Sequence, residues 1–142
     1  MTEIQDIFQN YGDEFLNRHK LSYIQSKAFS VVMSGSDVIG IAQTGTGKTL
    51  AYLLPCLRLW NFTKDIHPQI LIIVPTRELV AQVEQEIQKL STYMTIKICG
   101  VYGGTNIKNQ AKIIQEGIDI IVGTPGRLLD LVLNGHLKLK SI

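Results

Sequence analysis

Residues 37–49 read DVIGIAQTGTGKT, and the fold turns on how this stretch is understood. Asp37–Ala42 (DVIGIA) is a short run rich in Ile and Val, bounded by Asp and Ala, which predicts a buried strand. Ala42-Gln43-Thr44-Gly45-Thr46-Gly47-Lys48-Thr49 follows directly and opens a helix predicted over Lys48–Trp60. The phosphate-loop pattern G-x-x-x-x-G-K-[ST] fits, with Ala42 in place of the first glycine. Gly45 and Gly47 let the backbone curl so that successive N–H groups converge on an anion. The new helix adds its positive dipole end and unpaired amides. In this reading Lys48 neutralises the outer phosphates and the Thr49 hydroxyl takes a place on Mg²⁺, which prefers oxygen ligands. Lys48 and Thr49 are therefore the candidate catalytic residues, and Ala42 to Thr49 the candidate nucleotide site. The competing reading is a glycine-rich turn with a chance Lys-Thr, and the strand before it and helix after it argue against that. A guanine-reading N-K-x-D run is absent from the sequence.

Working outward, three further apolar runs predict strands: Gln69–Pro75 (QILIIVP), Ile96–Tyr102 (IKICGVY) and Ile118–Gly123 (IDIIVG). Helices are predicted between them. The clearest is Thr76–Met94, where Leu79, Val83, Ile87, Leu90 and Met94 recur at steps of three or four. Ser22–Ser34 and Asn106–Glu116 are further helices, and another follows Thr124. Alternating strands and helices predict an α/β fold with a doubly wound, mostly parallel sheet and helices on both faces. In such sheets ligands collect at the carboxyl ends of the strands. Three of the four runs end in AQTGTGKT, PTREL and GTPGR, so chemistry is expected along one edge.

Composition excludes several classes. The 142 residues are 45% hydrophobic and 18% charged, which suits one domain with a real core rather than disorder. Fourteen Lys and Arg against twelve Asp and Glu leave +2, too little to announce a nucleic-acid or membrane partner by charge alone. Cys56 and Cys99 cannot build a disulfide framework, and His19, His67 and His136 lack zinc-site spacing. No apolar run approaches the roughly 18 residues of a membrane span, and the N-terminus MTEIQDIFQN carries acids where a targeting peptide carries basic residues. A soluble cytoplasmic chain is expected, with a nuclear location left open and no membrane partner.

With these residues in view, the chain resembles the first RecA-like domain of a DEAD-box RNA helicase. The resemblance rests on AQTGTGKT (42–49), PTREL (75–79), Gly103-Gly104 and TPGR (124–127), in that family's order and at similar spacing, with Gln110 at a recurrent family position. It covers essentially the whole chain, and Ala42 is the residue that the family usually has there. It implies a RecA-like phosphate-loop fold, with ATP and Mg²⁺ as cofactors. It also implies that residues 1–34 form an adenine-recognition segment and 35–142 the phosphate-loop and RNA-groove part. Gln25 stands where the family has an adenine-selecting glutamine, and Phe8 where it has a stacking aromatic. A glutamine amide both accepts from the N6 amino group and donates to N7. Around it the usual P-T-P-I-Q reads Leu21-Ser22-Tyr23-Ile24-Gln25 here.

The resemblance further implies that Pro75-Thr76-Arg77, Gly103-Gly104 and Thr124-Pro125-Gly126-Arg127 line a groove for the RNA backbone. Hydroxyls and free amides at the helix starts suit phosphate oxygens, Gly103 and Gly104 permit close approach, and Arg77 and Arg127 can fork onto phosphates. Taken singly, each motif reads as a capped helix start or a tight turn; the ordered set favours the groove. Contacts of this kind position a strand with little sequence preference.

The family's D-E-A-D box and second RecA-like domain are expected beyond Ile142. The 142-residue chain alone is then expected to be inactive, with strand 37–42 open on both edges and prone to self-association. The leading reading is an ATP-dependent RNA helicase that unwinds duplexes locally. A truncated non-catalytic nucleotide- or RNA-binding module and another phosphate-loop ATPase remain as alternatives.

Overall fold

The computed structural model describes residues 21–142. Phe8 and most of the expected adenine-recognition segment lie outside the described residues. The chain divides into two compact units, one ending at Asn61 and the other spanning Phe62–Ile142.

The first unit contains α1 (Tyr23–Met33) and α2 (Lys48–Leu59), which pack on each other. Helix α1 begins at a reciprocal cap: Ser22 accepts from the Gln25 amide, and the Gln25 side chain accepts from the Ser22 amide. That S-x-x-Q spacing satisfies two backbone donors that a helix start leaves unpaired. Phe29 from α1 and Leu53, Leu54 and Leu57 from α2 are buried.

The stretch joining the two helices differs from expectation. Asp37–Ala42 forms no strand, and Ile39 and Ile41 are 92% and 91% exposed. A strand exists only through ladder bonds to a neighbour, and none of the described strands pairs with this run. Its Ile and Val content satisfies the local preference for extended backbone without supplying a partner.

The second unit holds β1 (Ile70–Ile73), α3 (Arg77–Leu90), β2 (Ile98–Val101), α4 (Ile107–Gln115), β3 (Ile120–Gly123) and α5 (Pro125–Leu133). The three strands are parallel in the order β1-β3-β2. Each is shorter than its apolar run, because pairing holds only where β3 lies alongside. Period-two alternation divides the sheet into two faces. Cys99, Val101 and Ile121 point to one face and form a core with Ala111 and Ile114 of α4 and Leu128 and Leu131 of α5. On the opposite face α3 lies so close that a Cβ on Gly100 would run into the Glu84 carboxylate. Helices therefore cover both faces, as expected, and every residue of the central strand β3 is buried. Among the described residues no helix is long and apolar enough to cross a membrane.

Candidate functional sites

The loop 42–49 is shaped by its glycines. Gly45 and Gly47 have φ of +82° and +84°, in the left-handed region that glycine enters without steric penalty. Gly47 is the N-cap of α2 and carries no side-chain capping bond, so the chain leaves the first-turn amides uncapped. The Lys48 ammonium reaches back and donates to the Ala42 carbonyl at 2.7 Å, spanning the loop. The Thr46 hydroxyl donates to the Gln43 carbonyl at 2.6 Å and tightens the turn. An exposed cation and uncapped amides at one turn suit a phosphate chain. The Thr49 hydroxyl bonds the Tyr52 phenol, which burial pushes above its ordinary range. No group of three His, Cys, Asp or Glu side chains among the described residues forms a metal site by itself.

Gln25 is buried, and both ends of its amide are engaged. Its Oε1 accepts from the Ser22 amide at 2.9 Å, and its Nε2 donates to the Gly47 carbonyl at 3.3 Å. A Cβ on Gly47 would collide with that Nε2. The side chain expected to face the adenine thus tethers the phosphate loop to α1. Sequence reading missed this contact, although the S-x-x-Q cap that orients the amide was visible in residues 22–25.

In the second unit three motifs leave the sheet together. The register aligns Ile73 with Gly123 and Gly123 with Val101, so the carboxyl ends of β1, β3 and β2 lie on one line. Pro75–Arg77 follows β1, Thr124–Arg127 follows β3, and Gly103–Gly104 follows β2. With strands about 4.8 Å apart, the three motifs span roughly 10 Å along this edge. TPGR sits between the other two because β3 is central.

Thr76 caps α3, its hydroxyl oxygen accepting from the Leu79 amide at 3.2 Å. The Thr124 hydroxyl makes no capping bond, and Pro125 occupies the first turn of α5. Arg77 is exposed and donates from Nε to Glu78 at 3.0 Å. Glu78 is held below the usual carboxylate range by its own backbone N–H and then by Arg77. Gly104 has φ of +82°, whereas Gly103 and Gly126 do not need a positive φ. A Cβ at any of these three would meet nothing within 4 Å. Packing among the described residues therefore does not explain glycine at 103 and 126, and both leave backbone open to an approaching group. Arg127 faces inward: Nη1 donates to the Gln110 Oε1 at 2.8 Å, and Nη1 and Nη2 both donate to the Thr105 carbonyl at 3.1 Å.

The DEAD/DEAH box helicase family model matches residues 22–142. The chain belongs to the DEAD/DEAH box helicase family. Among relatives of this helicase chain, the pre-mRNA-processing ATP-dependent RNA helicase PRP5 of Lodderomyces elongisporus is 46% identical, over 80% of this chain and 12% of that protein. The DEAD-box ATP-dependent RNA helicase CshA of Streptococcus pneumoniae is also 46% identical, over 85% of this chain and 23% of its own length. A probable ATP-dependent RNA helicase of Homo sapiens, DDX43, is 42% identical over 96% of this chain and 22% of its own. The chain thus spans less than a quarter of the length of these curated relatives. The crystal structure of a hypothetical ATP-dependent RNA helicase from Sulfolobus tokodaii superposes with a TM-score of 0.79 at 36% identity, covering 100% of this chain and 39% of that one. That likeness places the α/β fold among RecA-like helicase domains.

Proposed function

We propose that this chain is the phosphate-loop part of an ATP-dependent RNA helicase, binding ATP at residues 42–49 and an RNA backbone at the carboxyl edge of the β1-β3-β2 sheet. The observation that carries the reading is the register, which brings PTREL, the glycine doublet and TPGR to one edge around a central strand. Family membership and the names of the relatives support the same activity.

At the loop, Lys48 exchanges its Ala42 carbonyl for the outer phosphates of ATP, and the first-turn amides of α2 receive the remaining charge. Mg²⁺, when bound, would supply electrostatic stabilisation of the transferring phosphoryl group, and Thr49 is the residue of the loop that would hold it. Gln25 holds the loop through Gly47 and presents its edge to the base. At the sheet edge, the uncapped start of α5 at Thr124 and the open backbones of Gly103, Gly104 and Gly126 receive phosphate and sugar oxygens, with Thr76 and Arg77 beside them. Pro75 and Pro125 set the turns into α3 and α5.

The test is Lys48→Ala in the full-length protein. RNA-stimulated ATP hydrolysis should fall by about a hundredfold or more, the scale of losing a charged group that stabilises the transition state. The fold should be unaffected, since Lys48 is exposed. Unchanged turnover would remove the proposal.

A further inference from the structure

The loop that leaves β2 is held from within by two side chains on different helices. Gln110 lies in α4 and is 8% exposed. Its Nε2 donates to the Thr105 hydroxyl oxygen at 2.8 Å and to the Tyr102 carbonyl at 3.3 Å. The Thr105 hydroxyl in turn donates to the Tyr102 carbonyl at 3.1 Å. Gln110 Oε1 accepts from Arg127, whose two Nη atoms also hold the Thr105 carbonyl. Tyr102 and Thr105 are thus pinned on either side of Gly103-Gly104, where an added Cβ would meet nothing within 4 Å among the described residues.

The guanidinium has little left for a ligand. A guanidinium has five N–H donors in a rigid fork. Three are spent on Thr105 and Gln110, and the Nε–H is buried without a partner. Turning Arg127 outward would strip the Thr105 carbonyl and the buried Gln110 amide of their donors together.

We propose that Gln110 and Arg127 form a brace that fixes the Gly103-Gly104 backbone against the start of α5, so that Gln110 is a positioning residue for the RNA strand and Arg127 acts through it rather than on phosphate. This rests on the RNA reading of the sheet edge. The brace couples the two motifs because its donors come from α5 and α4 while its acceptors lie in the glycine loop. With it intact, the RNA meets two preset backbones rather than one preset and one loose.

The experiment measures ATP hydrolysis by the full-length protein against an oligouridylate 10-mer, at several salt concentrations. Gln110→Ala removes two buried donors and should raise the RNA concentration for half-maximal stimulation about tenfold. Its turnover without RNA and its KM for ATP should stay unchanged. The slope of log affinity against log salt should also stay unchanged, because no phosphate contact is lost. Gln110→Glu keeps the side-chain volume and the acceptor for Arg127 and should act in the same direction. Arg127→Lys, which keeps the charge and loses the fork, should weaken RNA similarly, and the double variant should lose little more than either alone.

Additive losses, or an Arg127→Gln slope lowered by about 0.7, as for one lost single-strand phosphate contact, would overturn the brace. A stimulated wild type beside an unaltered Gln110→Ala would overturn this proposal alone. A wild type indifferent to RNA would overturn the RNA reading and this proposal with it.

Discussion

Gly45 and Gly47 share nearly the same φ, +82° and +84°, and differ in surroundings, which makes them a matched pair for measuring the Gln25 tether. At Gly45 a methyl group would meet nothing within 4 Å, so Gly45→Ala carries only the cost of a left-handed alanine. That cost is roughly 1–2 kcal/mol. Gly47→Ala carries the same backbone cost and also drives a Cβ into the Gln25 amide. The amide ends a flexible side chain and moves aside, so the added cost is the bonds it gives up. These are the bond to the Gly47 carbonyl and the one accepted from Ser22, at about 1 kcal/mol each. Gly47→Ala should therefore cost about 3–4 kcal/mol against about 1–2 for Gly45→Ala.

Native-state hydrogen exchange in the full-length protein reads this locally. The Ala51 amide, which donates to the Gly47 carbonyl, is the reporter. At about 1.4 kcal/mol per tenfold, Gly45→Ala should speed its exchange about tenfold and Gly47→Ala a few hundredfold. In a Gln25→Ala background the collision is gone, and Gly47→Ala should then match Gly45→Ala. Equal effects of the two substitutions in the wild-type background would refute the reasoning, because the tether would then contribute nothing.

Two further outcomes follow from the second unit. Glu84 accepts from the Gly100 amide but is pushed above the ordinary carboxylate range by burial. It holds its proton more tightly folded than unfolded, so its contribution to stability is full below the ordinary carboxylate range and is lost as pH rises through its raised folded value. Glu84→Gln should therefore flatten the loss of stability as pH rises above the ordinary carboxylate range, read as urea midpoints at successive pH values. Leu131 is fully buried among Cys99, Val101, Ile114 and Ile121, and Leu131→Ala should destabilise by about 2–5 kcal/mol by urea denaturation.

The local chemistry was legible in the residues themselves. Thr76 and Asn106 accept the capping bonds of their helices, Val83, Ile87 and Leu90 of the expected stripe are buried while Val80 rather than exposed Leu79 completes it and Met94 lies past the helix end, and the Gly45 and Gly47 turns need the freedom that only glycine has. Caps and turns are settled within a few residues, so spacing alone reveals them. Asp37–Ala42 marks the limit of such reasoning. An apolar, β-branched run states a preference for extended backbone, but a strand is a property of two segments, and the partner is not written in the run.

Side-chain roles were less legible than elements for the same reason. Gln25 and Arg127 stood out as groups able to reach a ligand, yet what each touches depends on segments 22 residues away, Gly47 for one and Thr105 for the other. The sequence by itself determined that this protein has capped helices and a glycine turn at residues 45–47, because those follow from neighbours along the chain, whereas only three of its four apolar runs became strands. Only the tertiary structure decided that β3 lies between β1 and β2, that TPGR therefore stands beside both other motifs, and that two polar side chains brace loops. Parallel pairing and buried hydrogen bonds are made between distant residues, and the choice among distant partners belongs to the packed molecule.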